Sequence, residues 1–367
     1  MRFRYTGDWY INSLDEICDF YKGNGLSKSD LSDDGEPCIL YGELYTTYKK
    51  EIIESVVSKT NIELSNPFKS QKNDVIIPGS GEDPIDIAVA RAIEHNGILL
   101  GGDLNVLRPH SNYSGAFMSY QLNGRRRFEI AKKAQGKSIV HLHNSDLKEI
   151  KVYMPQYDEQ IKVTEFLKLI DQRIELQNKI IEEYELLKNT INSHLIGNET
   201  PNIKISECMD CLSSSKKESD IINAPEGDYP AFGANGLIRK INTYDYQRPG
   251  ISIVKDGAGV GRMSYLTGKY SIVGTQNLLI NKSNYNLVYL YYALQNLDFR
   301  KYVVGSGIPH IYFKDYKNEY IYLPDNKKMI NIISKCLSSI DVKISIENEV
   351  LDKLLKQKEY LLSNMFI

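Results

Sequence analysis

Gly136-Lys-Ser-Ile-Val-His141 and Gly305-Ser-Gly-Ile-Pro-His310 open two stretches that align without a gap at an offset of 169 residues. The first runs to Tyr153-Met-Pro155 and the second to Tyr322-Leu-Pro324. Gly136/Gly305, Ile139/Ile308, His141/His310, Asp146/Asp315, Lys148/Lys317, Tyr153/Tyr322 and Pro155/Pro324 match. A period this long marks a duplicated domain, because solenoid repeats run to roughly 20–50 residues. Upstream, Val75-Ile-Ile-Pro-Gly79-Ser-Gly81 resembles Ile253-Val-Lys-Asp-Gly257-Ala-Gly259, and Ile98-Leu-Leu-Gly101 resembles Ser271-Ile-Val-Gly274. Offsets that drift from 178 to 169 imply small loop insertions between the copies.

Each copy runs into a heptad-patterned helix. In the first, Leu167, Ile174, Ile181 and Lys188 share one heptad position, and Val163, Ile170, Gln177, Tyr184 and Ile191 share the other. In the second, Leu337, Ile344, Leu351 and Lys358 share the first position and Ile333, Ile340, Glu347, Leu354 and Leu361 the other, every entry 170 residues beyond its counterpart in the first helix. Apolar residues sustained at this spacing predict a coiled-coil seam, and its polar breaks at Gln177 and Glu347 cost stability but fix register. Pro155 and Pro324 stand just ahead of the helices, where proline is tolerated. Simple surface helices on ordinary cores would not need four to five heptads in register with a repeat.

In the globular parts, Val75–Ile77, Ile98–Leu100, Asn105–Leu107, Ile251–Val254, Tyr270–Val273 and Asn277–Ile280 read as short strands, punctuated by Gly, Asn and Asp. Ile85–His95, Gly115–Gln121, Arg126–Ala134 and Leu287–Leu297 read as short helices. The expected fold is α+β: two mixed α/β domains related by a pseudo-two-fold axis and separated by two long antiparallel coiled-coil helices. The expected division is 1–155, a first globular domain; 156–196, a central helix; 197–324, a second globular domain; and 325–367, a C-terminal helix.

Composition bounds the chemistry. The 367 residues suffice for two domains, and their formal charge of −2 is not that of a strongly basic nucleic-acid binder. Residues 197–324 hold 14 Lys+Arg against 12 Asp+Glu, whereas 156–196 hold 5 against 8. A mildly basic globular part beside an acidic helix suggests nucleic acid for one and a protein partner for the other. Five scattered cysteines, no secretory segment and no membrane-length apolar run suggest a reduced, cytoplasmic setting.

No catalytic motif stands out. Cys208-Met-Asp-Cys211 has zinc-like spacing but no second pair, and His141-Leu-His143 faces Tyr312 in the other copy, so no metal site is expected. Gly257-Ala-Gly-Val-Gly261 precedes a strand-like segment, whereas a phosphate-cradling loop opens a helix. Ser65-Asn-Pro-Phe68 lacks the second proline of an amino-methyltransferase loop.

Taken together, the chain resembles the specificity subunit of type I restriction–modification enzymes. The resemblance rests on Gly136…Leu147…Pro155…Asp158-Glu-Gln160…Leu169-Ile-Asp171…Ile174 and on Gly305…Tyr316…Pro324…Ser339-Ile-Asp341…Ile344. The closing Leu354-Leu-Lys-Gln-Lys358…Leu361-Leu-Ser-Asn-Met-Phe366 is also of that type. It covers nearly the whole chain; one departure is Asp325-Asn-Lys-Lys328, which lacks the Glu159-Gln160 pair.

The resemblance implies a non-catalytic subunit that reads double-stranded DNA. Two methyltransferase subunits, using S-adenosylmethionine for adenine-N6 methylation, and motor–nuclease subunits, using ATP and Mg, would be its partners. Each recognition domain would read one half of a bipartite asymmetric site. A purely structural coiled-coil adaptor without DNA readout is the competing expectation, which a mobility-shift assay with the methyltransferase partner separates.

Candidate DNA contacts are Lys137, Ser138, His141, Ser306 and His310 on the repeated loops, with Arg125, Arg126, Arg127, Lys216, Lys217, Lys255 and Arg262 as phosphate or base contacts. A helix over 158–195 is about 57 Å long, and four inserted residues add about 6 Å. Such an insertion is expected to lengthen the unread gap in the methylated motif while leaving both half-site sequences intact. Methylome sequencing checks this, and an unchanged gap in an active complex would refute the ruler.

Overall fold

The computed structural model describes residues 8–305 and 307–366. They form two compact units, one comprising residues up to Asn178 and from Glu349 onward, the other Lys179–Asn348. Both boundaries fall inside the long helices, Tyr157–Asn192 and Lys327–Asn364. Each unit therefore holds a globular part and portions of both helices.

The two units share a topology. In the first, a sheet orders Cys18–Lys22, Leu104–Pro109, Val75–Pro78, Arg91–Ile93 and Ile52–Ile53. In the second, Met209–Ser213, Gln276–Asn281, Gly250–Val254 and Met263–Leu266 take the matching order. Val75–Pro78 and Gly250–Val254 are buried along their whole length, as expected for strands covered on both faces. Each unit also has a three-stranded sheet with one parallel pairing, Cys38 with Leu99 and Ala231 with Ser271.

Strand register corrects one sequence correspondence. Ile77 pairs with Asn105, and Ile253 pairs with Asn277. Leu142 and Ile311 then donate their N–H groups to the Gly79 and Lys255 carbonyls. Gly79 thus corresponds to Lys255 and Gly81 to Gly257, an offset of 176 in place of 178. A two-residue slip leaves every side chain on its original face, so alternation cannot detect it.

The segment Ile85–His95 is also not the helix its composition suggests. Asp83 caps a single turn, Pro84–Ile87, and Arg91–Ile93 then enters the main sheet. Ala92 pairs with both Ile52 and Val75, and this pairing outweighs helix propensity. The remaining expected helices form at Gly115–Asn123, Arg126–Lys133 and Leu287–Leu294. Ser114 and Asn286 cap the first and last of these through side-chain oxygens.

The heptad residues point inward. Leu167, Gln177, Ile181, Ile333, Leu337 and Leu354 are buried. Val163, Ile170, Ile174, Tyr184, Ile340, Ile344, Glu347 and Leu351 are half-buried. In the first unit, Val163, Leu167 and Ile170 join a core that includes Leu361 and Leu362. In the second, Ile333 and Leu337 join one that includes Ile191 and Ile196. In each unit the early turns of one helix therefore share a core with the late turns of the other, an antiparallel arrangement.

A charge cluster, buried in the first unit and half-buried in the second, pins this packing. In the first unit Lys358 lies 2.6 Å from both Asp171 and Glu51, and the Tyr120 hydroxyl donates to Asp171 at 2.6 Å. In the second, Lys188 lies 2.9 Å from Asp341, and the Tyr292 hydroxyl donates to Asp341 at 2.6 Å. Burial opposes the Lys358 charge, but the Glu51 and Asp171 carboxylates outweigh it and hold its pKa above the ordinary lysine value. Burial, then the neighbouring aspartate, push both tyrosine hydroxyls far up.

Removing one partner from a buried ion pair costs about 3–5 kcal/mol, whereas an exposed pair is worth about 1 kcal/mol or less. The Lys358, Glu51 and Asp171 side chains are 15%, 6% and 8% exposed, against 18% and 33% for Lys188 and Asp341. Lys358→Ala is therefore expected to destabilise the first unit by about 3–5 kcal/mol. Lys188→Ala should destabilise the second by nearer 1 kcal/mol. Urea unfolding with hydrogen exchange resolved to each unit checks both. Because the folded Lys358 pKa is raised, its contribution should be intact below about pH 10.4, the ordinary lysine pKa, and lost as pH rises through the folded value.

Candidate nucleic-acid interface

The repeated loops fold as tight hairpins. Gln135 pairs with His141 in the first unit, and Val304 bridges to His310 in the second. Gly136 and Gly305 adopt φ of 141° and 98°, and a Cβ there would stand 2.0 Å from the Ile139 carbonyl oxygen and 2.4 Å from that of Ile308. Only glycine fits such a turn, which accounts for the matched glycines. Ile139 and Ile308 are 56% and 61% exposed at the tips. Lys137, Ser138 and His141 are exposed beside the first tip. Ser306 lies outside the described residues.

A third segment docks on each hairpin. Ser80 pairs with His141, and Asp256 bridges to His310. The chemistry at this matched place differs. The Ser80 hydroxyl donates to Asp103 at 3.1 Å, whereas Asp256 Oδ1 lies 2.7 Å from His310 Nδ1. Asp256 therefore fixes which nitrogen of His310 remains available, while His141 lacks that restraint. Each histidine stacks on the ring two residues on: His141 on His143 at 6.3 Å, His310 on Tyr312 at 6.5 Å.

Lys255 joins the second hairpin through its carbonyl, and Arg262 closes the turn that follows. The turn between Gly250–Val254 and Met263–Leu266 contains Gly257-Ala-Gly-Val-Gly261, and the Gly257 N–H donates to the Pro309 carbonyl. These glycines shape a β-turn and open no helix. Arg262 is exposed, its guanidinium 3.4 Å from the Ala234 carbonyl oxygen. In the first unit the matching stretch carries Glu82, Asp83 and Asp86 instead. Burial, with Tyr41, Asp86 and Glu82 nearby, raises the Tyr45 hydroxyl pKa there.

The other candidates lie elsewhere in their units. Lys216 is 2.7 Å from Asp245, and Lys217 precedes the short helix Glu218–Ile222. Arg125 reaches Asn364 at 3.5 Å. Arg126 pairs with Glu129 over the Tyr153 ring, and Arg127 donates twice to the Ile85 carbonyl. Arg126 and Arg127 thus have local structural work. Reading the sequence alone missed Asp256, Ser80 and Asp103; only the corrected strand register shows that the first two hold matching places in their units.

Among the described residues, no His, Cys, Asp and Glu group has a metal-holding arrangement, and no helix is long and apolar enough to cross a membrane. The thiols of Cys208 and Cys211 are pushed up by burial, to about 12 and about 11.

Comparison places this architecture among known proteins. A family model described as "Type I restriction modification DNA specificity domain" matches residues 6–186 and 203–356. A solved type I restriction–modification S subunit from M. genitalium is similar at TM-score 0.67 and 18% identity, over 100% of this chain and 98% of that one. A structure described under assembly and conformational transition of the type I R-M system is similar at TM-score 0.58 and 15% identity, over 98% and 97%. No curated protein sequence matches the chain. With the family model spanning most of both repeats, the chain belongs to the type I restriction–modification DNA specificity family.

Proposed function

We propose that this chain is the non-catalytic specificity subunit of a type I system, each unit reading one half of a bipartite, asymmetric DNA site. Two methyltransferase subunits, carrying S-adenosylmethionine, would methylate adenine N6 at that site. Motor–nuclease subunits, with ATP and Mg, would cleave unmodified DNA. The observation that carries the reading is the pair of glycine hairpins at matched places with different chemistry beside them. One has His141 paired with Ser80, followed in the chain by Glu82, Asp83 and Asp86; the other has His310 held by Asp256, followed in the chain by Arg262. A shared scaffold with divergent polar groups is what two unlike half-sites require. Hydrogen bonds to base edges carry sequence information, whereas phosphate contacts fix position.

The net charge of −2 favours little autonomous DNA affinity. Specific binding is therefore expected only with methyltransferase subunits present, by mobility shift at physiological salt. Tight specific binding by the chain alone would refute that dependence. Arg262→Ala with His310→Ala should relax or abolish methylation specificity at one half-site and leave the other unchanged, read by methylome sequencing. Each lost base contact is expected to cost about 1–3 kcal/mol. Equal loss at both halves would count against separate readers.

A further inference from the structure

The first unit contains a plug that the second lacks. Gln160, 1% exposed, accepts from the Ser114 N–H at 2.8 Å and donates to the carbonyls of Pro155 at 2.8 Å and Asn112 at 3.3 Å. One carboxamide thus satisfies one donor and two acceptors where the long helix begins. Thr164 fixes that turn by donating its hydroxyl to the Gln160 carbonyl.

The second unit repeats the frame around a different residue. Ser334 donates its hydroxyl to the Ile330 carbonyl, which places Ile330 where Gln160 stands. Asn286 caps Leu287–Leu294 as Ser114 caps Gly115–Asn123. The groups matching the ends of the carboxamide are then the Asn286 N–H and the carbonyls of Asn284 and Pro324. Ile330 cannot bond them, and no other described residue does. Asn284, Asn286, Pro324 and Ile330 line a cleft of about 370 Å³. The same turns of the helix expose Met329 and Ile332, 46% and 63%.

We infer that this cleft receives a carboxamide side chain, glutamine or asparagine, from the methyltransferase partner. The sister unit supplies the template for its hydrogen bonds. Exposed Met329 and Ile332 give the same turns the apolar surface of a protein contact. The inference rests on the proposed assembly.

The test uses the full chain and the purified methyltransferase subunit. In wild type, the Asn286 amide should gain protection from hydrogen exchange when the complex forms. Ile330→Gln should protect that amide in the free chain and weaken the complex about tenfold, the worth of a net hydrogen bond. Ile330→Ala, which opens the cleft without filling it, should hold affinity within about twofold, because no hydrogen bond to the partner is lost. Unchanged affinity of a folded Ile330→Gln chain overturns the inference. So does a wild-type complex in which Asn286 stays unprotected, a measurement independent of either variant. Absence of any complex overturns the proposed assembly as well.

Discussion

A lysine from one long helix neutralising an aspartate from the other recurs in both units, and the first unit depends on it most. Lys358 meets Asp171 in the first unit and Lys188 meets Asp341 in the second, each aspartate also holding a tyrosine hydroxyl. Leucine and isoleucine can slide past one another by a heptad at modest cost. The buried Asp171 carboxylate cannot, because a slip leaves it unpaired in a poorly solvated site. The clusters hold the register of the paired helices, whose first turns carry Gln160 in one unit and the cleft at Ile330 in the other.

The globular parts spend their similarity on scaffold and their difference on surface. Strand order, the parallel pairing of the small sheet, the capped helix and the hairpin glycine are common to both. Beside the hairpins the side chains diverge in charge and hydrogen-bonding capacity. This is the expected division for a scaffold presenting loops, since packing constrains buried positions and leaves exposed ones free.

Much of this was legible in the sequence because periodicity and repetition are long-range signals. Leu167, Ile181, Leu337 and Leu354 were marked by spacing alone and are buried. The matched hairpin glycines were marked by repetition, and their positive φ supplies the reason. Short-range signals did less well. Ile85–His95 has helical composition, yet Arg91–Ile93 fills a gap in a sheet whose other strands are distant in sequence. The basic run Arg125-Arg-Arg127 suggested a phosphate site, but nothing in a run of arginines tells that one will bond the Ile85 carbonyl. Lys188 and Lys358 were visible as seam entries. Asp171 and Asp341 lie on the neighbouring row, which a count of apolar residues passes over.

The seam also separates two meanings of the word unit. Asp171 and Lys188 are encoded side by side in one repeat, yet they serve different folded bodies. Neither copy of the repeat, taken as a globular part with the helix that follows it, contains a complete cluster, so the block that repeats differs from the block that folds. A repeat exchanged as a block between related chains would bring the aspartate of one cluster and the lysine of the other. It would find their counterparts waiting, provided the donor kept the same spacing. The hairpin-bearing parts can then be traded or diverge while the cluster inside each folded unit stays electrically complete.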